Sequence, residues 1–203
     1  MQFGFHYLYR SSHSLTIAAM ILFFSFLYRP AQAQMGGGIL GGVTSSQIDG
    51  DSWGGYNFWG HQVGGFVEYS FSEKVGLQLE ISQSRRGSRE AGIGRVALSF
   101  IDVPVLFRMK RELNGREVAG ELGLSGNLLL SGKTGLKPFD FDQTENFRRF
   151  SSELHLGAAY YFSPNLGFYG RWTIGLSNLH SDPQLRPWLA IHYFSFGLRV
   201  RFL

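Results

Sequence analysis

The feature that most constrains this chain is an alternation of period two that recurs almost from end to end. In the closing stretch YFSFGLRVRFL, Phe194, Phe196, Leu198, Val200 and Phe202 fall on one side. Tyr193, Ser195, Gly197, Arg199 and Arg201 fall on the other. Val75, Leu77, Leu79 and Ile81 alternate in the same way with Gly76, Gln78, Glu80 and Ser82, and Leu154 to Phe162 and Leu166 to Ser177 follow suit. Side chains that change character at every step mark strands with two chemically different faces. No window after the first 33 residues carries a helical stripe.

Turn residues divide the chain into eight strands, near 36–48, 59–71, 75–86, 95–111, 117–131, 148–162, 166–178 and 188–203. Three connections are tight: Ser72-Glu73-Lys74, Asn114-Gly115 and Ser163-Pro164-Asn165. Asn-Gly suits a two-residue hairpin because both residues tolerate positive φ. The other four, around 49–58, 87–94, 132–147 and 179–187, read as longer polar loops. Short and long connections alternate, so a meander carries its tight turns at one end and its loops at the other. An even strand number with short turns on one side and long loops on the other is the plan of an outer-membrane barrel. The expected fold is therefore all-β: an eight-stranded antiparallel up-and-down transmembrane β-barrel. Strands of about 12 residues tilted by about 40° rise roughly 30 Å, enough for a hydrocarbon core.

Alternation alone does not say which face is wet; a lipocalin-like barrel hides its oily face inside. Charge placement separates the two. The polar face collects Glu68, Glu80, Asp102, Arg108, Lys110, Glu121, Glu153, His155, Arg171, Arg199 and Arg201. The opposite face has no Asp, Glu, Lys or Arg in mid-strand, as expected where a charge at the bilayer midplane costs about 2–4 kcal/mol. Between the charges the polar face is Gly, Ser, Ala and Thr, small enough for a narrow lumen, and five acids meet five bases. This face is expected to be a salt-bridged lumen plug. Tyr69, Phe71, Tyr160, Phe162, Phe168 and Phe202 gather at the tight-turn end, the place of an interfacial aromatic girdle. Trp53, Tyr56, Phe58, Trp59 and Trp188 are candidates for the second girdle. Charged residues are 17% of the chain, below the roughly 25% of ordinary soluble proteins.

Residues 1–33 read as a cleaved secretory signal peptide and 34–203 as the barrel domain. The apolar run Leu15 to Leu27 is too short to span a bilayer as a helix, and Ala31-Gln32-Ala33 offers small residues where a signal peptidase reads, with cleavage after Ala33. An N-terminal membrane anchor is the competing reading. The absence of Cys excludes a disulfide framework, thiolate metal sites and a lipidated cysteine. The formal charge is +4, and loss of Arg10 and Arg29 with the leader lowers it by two. Scattered bases at so small a net charge argue against nucleic acid.

The mature chain resembles the PorT-like outer-membrane β-barrel proteins, often labelled porin family protein. The similarity lies in GGGILGGVTSS, in DGDSWGGYNFWGHQVGGFVEYSFSEKVGLQLEISQSRRGS and in FIDVPVLFRMK. In the third stretch Asp102-Val103-Pro104 stands where that family has an acid, an aliphatic residue and proline. The chain departs from the family in Arg85-Arg86, where Gln-Lys is usual, and in Leu203 following the terminal aromatic Phe202. The resemblance implies a location and a fold and few activities. It also implies biogenesis through the barrel-assembly machinery, with Phe202 near the end as the assembly signal. Pro104 lacks a ladder donor, so pairing is expected to break there.

Candidate chemistry is sparse, and no catalytic, cofactor or metal residue is assigned. An enzyme at the rim would draw on His180, Ser181 and Asp182, with His61 in principle nearby; a solvated loop ending at Pro183 is the competing reading. A metal site from His155, His192 and Glu153 fails on parity, because His192 belongs to the outward face. Asp49 and Asp51 in IDGDSWGGYN lack full Ca²⁺-loop spacing. Loop 132–147 mixes Lys133, Lys137, Asp140, Asp142 and Glu145 with Phe139, Phe141 and Phe147, for gripping a partner or lipopolysaccharide or for dipping into the interface. Arg85, Arg86 and Arg89 read as a rim cluster facing lipid phosphates or solvent. The functional expectation is a structural or interaction protein working through external loops, in contact with outer-membrane lipid, lipopolysaccharide and an unidentified protein partner. A narrow porin-like channel and a lipid-modifying enzyme are the alternatives.

Overall fold

The structure, a computed structural model, describes residues 34–136, 139–182 and 188–202. The proposed leader 1–33, its cleavage site and Leu203 lie outside the described residues, as do Lys137 and Pro183.

Strand β1 (Gln34–Asp49) pairs on one side with β2 (Phe58–Ser70) and on the other with β9 (Ala190–Phe202). From β2 the ladder continues to β3 (Val75–Glu90), β4 (Gly94–Leu113) and β5 (Arg116–Leu136). From β9 it runs through β8 (Leu166–Gly175) and β7 (Phe150–Tyr161) back to β5. Every neighbour is antiparallel, and these eight strands close into a ring, which removes the exposed edges of an open sheet. A short β6 (Phe139–Asp142) and a 3₁₀ turn (Thr144–Asn146) lie outside the ring in the loop after β5, and β6 pairs with β5.

Turn chemistry sets the closed end. Asn114 and Gly115 both take positive φ, 53° and 72°, which joins β4 to β5 in two residues. Ser72 Oγ accepts the Val75 amide at 3.2 Å, and Ser163 Oγ accepts the Leu166 amide at 3.0 Å, so both serines stabilise their own turns. At the loop end one expectation is corrected. Residues 87–94 are not a long loop: β3 and β4 run on to Glu90 and Gly94 and are joined by Ala91–Ile93, with Gly92 at φ 78°. Here β3 has left the apolar band and both of its faces are polar, so the alternation that betrays a strand fades from Arg85 to Glu90.

Pro104 breaks pairing on one side only. The β3–β4 register stops at Leu79↔Val105 and resumes unchanged at Ser82↔Asp102, while Pro104 still faces Ser125 on β5. The bulge lies elsewhere: Phe100 faces Leu129 but Ser99 faces Ser131, leaving Leu130 without a partner. Below the bulge the odd residues Glu121, Ser125, Asn127 and Leu129 of β5 point inward; above it Gly132 does.

The outer wall is oily. On β2 to β5 it presents Val63, Val67, Tyr69, Leu77, Leu79, Ile81, Val103, Val105, Phe107, Leu122 and Leu124, all exposed. On β8 and β9, Trp172, Phe194 and Phe196 form a ladder with ring centroids 6.3 and 6.2 Å apart. From Met109 to Ile101 this band rises about 20 Å at barrel tilt, close to the height of outer-membrane barrels. The six aromatics Tyr69, Phe71, Tyr160, Phe162, Phe168 and Phe202 are all exposed at the turn end. Of the second set, Trp59 and Trp188 are exposed and Trp53 and Tyr56 half-buried, but Phe58 has the inward parity of β2 and is buried.

Candidate functional site

The interior is a stack of three layers. Nearest the turns is an ionic cluster. Arg108 binds Glu68 and reaches Glu121 at 3.1 Å and Glu117 at 3.5 Å. Arg171 meets Glu80 with both terminal nitrogens at 3.0 and 2.9 Å and Glu121 at 3.3 Å. Arg199 holds Glu121 and, at 3.1 Å, Glu80. Lys110 and Arg201, half-buried at the turn-end mouth, bind Glu68 at 2.9 and 3.2 Å, and Arg201 also binds Glu117 at 2.6 Å. The guanidiniums stack on rings as well: Arg201 lies 3.6 Å from the Tyr161 centroid and Arg199 4.7 Å from that of Tyr169.

The second layer centres on Arg86, which is 0% exposed. Its two terminal nitrogens take both oxygens of Asp102, each at 3.0 Å, and one also binds Glu153 at 2.7 Å. Ser84 and Tyr193 complete the set at 2.7 and 3.3 Å, and the guanidinium lies 4.2 Å from the Phe100 ring centroid. The third layer, at the loop end, is apolar: Ile48, Leu98, Phe100, Leu129, Leu179, Leu189 and Ile191, with Val96 and Phe147 packed against it. Phe147, one of the loop aromatics, thus turns inward, whereas Phe141 is exposed.

All eleven charge-network residues read from the sequence face this interior. His155 belongs to it in position only. Its ring nitrogens meet Ser125 and Thr173 hydroxyls at 2.8 and 3.0 Å, and no carboxylate. Two members were missed. Arg86, read as a rim residue facing phosphate or solvent, is instead the most enclosed cation of the second layer. The parity of Gln78, Glu80, Ser82 and Ser84 already placed it inward, and the Arg85-Arg86 doublet obscured this. Glu117 shares the parity of Glu121 in the same way. With them the count is even: Glu68, Glu80, Asp102, Glu117, Glu121 and Glu153 against Arg86, Arg108, Lys110, Arg171, Arg199 and Arg201. Removing charges from water is expensive and is offset only when each finds a partner.

The remaining candidates do not converge. Ser181 donates its hydroxyl to the Asn146 carbonyl at 3.0 Å, and His180 Nδ1 accepts the Asp182 amide at 3.0 Å, so serine and histidine are each engaged elsewhere. His61 is on the outward face of β2, 3.0 Å from Gln83. His192 Nε2 lies 3.2 Å from Asp49, away from His155 and Glu153. Asp51 accepts the Trp53 amide at 2.8 Å in a local turn. Asp142 accepts both the hydroxyl and the amide of Thr144, which holds its carboxyl below the ordinary aspartate value.

Comparison with known proteins agrees with the fold. The family model described as outer membrane protein beta-barrel domain matches residues 11–181. Among solved structures, Ail, the attachment invasion locus protein of Yersinia pestis, is similar with a TM-score of 0.52 at 18% identity, over 83% of this chain and 99% of that one. Neisserial surface protein A is similar with a TM-score of 0.54 at 12% identity, over 82% of this chain and 97% of that one. No curated protein matches the sequence.

Proposed function

The chain belongs to the outer membrane protein β-barrel domain family, and on that premise we propose that it works as a closed barrel, a structural or interaction protein whose outward surfaces and external loops carry its role. Its place is the outer membrane of a diderm bacterium. One observation carries the reading: Glu80, Arg86, Arg108 and Arg199, spread over both ionic layers, are 0% exposed. A water-filled pore along the axis would wet them. Eight strands leave an interior that side chains fill, and here ionic and apolar layers fill it in succession. The PorT-like branch is the finer placement, supported by Asp102-Val103-Pro104 and the Gly-rich first strand. The same reading makes the protein non-enzymatic. Outer-membrane lipid, lipopolysaccharide and an unidentified protein at the loops are its partners in the membrane, and the barrel-assembly machinery its partner in biogenesis. Planar-bilayer recording of purified, heat-modifiable protein tests the proposal. Silence at all voltages is expected, and stable unitary conductance would replace the closed barrel with a channel.

A further inference from the structure

Among the described residues, every Lys and Arg inside the barrel has a carboxylate, whereas Arg85 and Arg89 on the outer wall near the loop end have none. Arg85 and Arg89 sit on the outward side of β3, separated from the last oily positions Ile81 and Val63 by the polar pair Gln83 and His61. Neither has an ion-pair partner among the described residues. Arg89 stands directly opposite Arg95 in the β3–β4 register, which brings a third guanidinium to the same place. Beside them Trp59 is 68% exposed, a residue type that seeks the headgroup level. Asn57, Trp59, Arg85, Arg89 and Arg95 line one recess of about 350 Å³, with Glu90 as the acid on its edge.

The backbone beneath is fixed from inside. Thr44 donates to the Arg85 carbonyl at 2.7 Å, and Ser46 Oγ accepts the Gly87 amide at 2.8 Å and donates to its carbonyl at 2.9 Å. A Cβ on Gly60 would meet the Arg85 carbonyl oxygen at 1.8 Å, so β2 approaches β3 here only because it has glycine. The arginines thus project from a rigid ledge rather than a mobile loop.

The geometry points to a binding site for the phosphate of an outer-leaflet lipid, held by Arg85 and Arg89 with Trp59 marking its depth. Guanidinium and phosphate form paired, charge-assisted hydrogen bonds. The apolar wall that begins at Val63 and Ile81, beyond the intervening polar pair His61 and Gln83, receives the acyl chains, which a free anion lacks. This site rests on the outer-membrane reading and gives that reading a defined lipid contact.

The test titrates detergent-solubilised, heat-modifiable barrel with lipid A bearing two phosphates and with lipid A stripped of them. Wild type is expected to bind the phosphorylated form at least about tenfold more tightly, and Arg85→Gln/Arg89→Gln to lose that preference. Lys74→Gln/Arg111→Gln removes the same charge at the opposite rim and is expected to keep it. Equal binding of both lipids by wild type, or equal loss in both variants, overturns the site. Displacement by equimolar inorganic phosphate overturns the lipid as its source. The comparison of two lipids on wild type needs no variant to fold. Wild-type protein recovered in the periplasm without detergent would instead refute the membrane reading itself.

Discussion

Replacing Arg86 with methionine isolates the energetics of the second layer. The substitution keeps most of the side-chain volume and the contact with Phe100. It deletes the hydrogen bonds to Asp102, Glu153, Ser84 and Tyr193. Two carboxylates then face each other without a cation, and loss of one partner from a buried ion pair costs about 3–5 kcal/mol. At about 2 kcal/mol per molar urea, the unfolding midpoint falls by roughly 1.5–2.5 M. The triple variant Arg86→Met/Asp102→Leu/Glu153→Met removes charge from every member, and replacement of a buried triad by apolar residues of similar volume is often near neutral or stabilising. It should therefore unfold within about 0.5 M of wild type. The assay is urea unfolding in lipid bilayers, followed by tryptophan fluorescence and by the gel shift between folded and unfolded barrel. A single variant as stable as wild type would mean that Arg86 is wetted or that the carboxylates find other partners. A triple variant as weak as the single would mean that packing, not charge, holds the layer.

Gly42 and Gly197 face each other across β1 and β9, and a Cβ on either would come within 2.2 Å of the partner strand's carbonyl oxygen. Gly42→Ala should lower stability by about 1–3 kcal/mol through overpacking, read in the same unfolding assay, whereas Gly36→Ala, with open space around it, should change little. The cross-strand pair Tyr160 and Phe168 should contribute about 1 kcal/mol; Tyr160→Ala/Phe168→Ala is expected to lose it, and unchanged unfolding in bilayers would remove these rings from the girdle. His180→Ala/Ser181→Ala should leave lipopolysaccharide acylation as in wild type by mass spectrometry, since the two side chains do not meet; altered acylation would reinstate an enzyme.

Most of the fold was legible because one physical rule, oil outside and ions inside, acts on every residue of the membrane-spanning strands. Leu77, Leu79 and Ile81 against Gln78, Glu80 and Ser82 show it plainly. Legibility ends where the rule stops acting. Above the band, Arg85 to Glu90 belong to a strand with water or headgroups outside and polar groups inside, so the sequence there looks like a loop. The apolar third layer was invisible for a related reason. Leu179 and Leu189 lie in or beside loops, and only the tertiary closure of the mouth shows that they cap a lumen. Arg86 was recoverable from parity, but its partner Glu153 lies 67 positions on, a distance no local pattern reports.

The unpaired Leu130 decides the address of a charge. Were β4 and β5 in regular step past Phe100, Lys133 would stand across from Val96 and aim its ammonium into the apolar mouth. One additional residue turns the upper part of β5 by half a repeat, so that Lys133 is exposed and Gly132 makes room for the Phe147 ring, whose nearest atom lies 2.8 Å from where a Cβ would be. An irregularity that looks like a flaw in the ladder thus seals the doorway and keeps the lysine out of it.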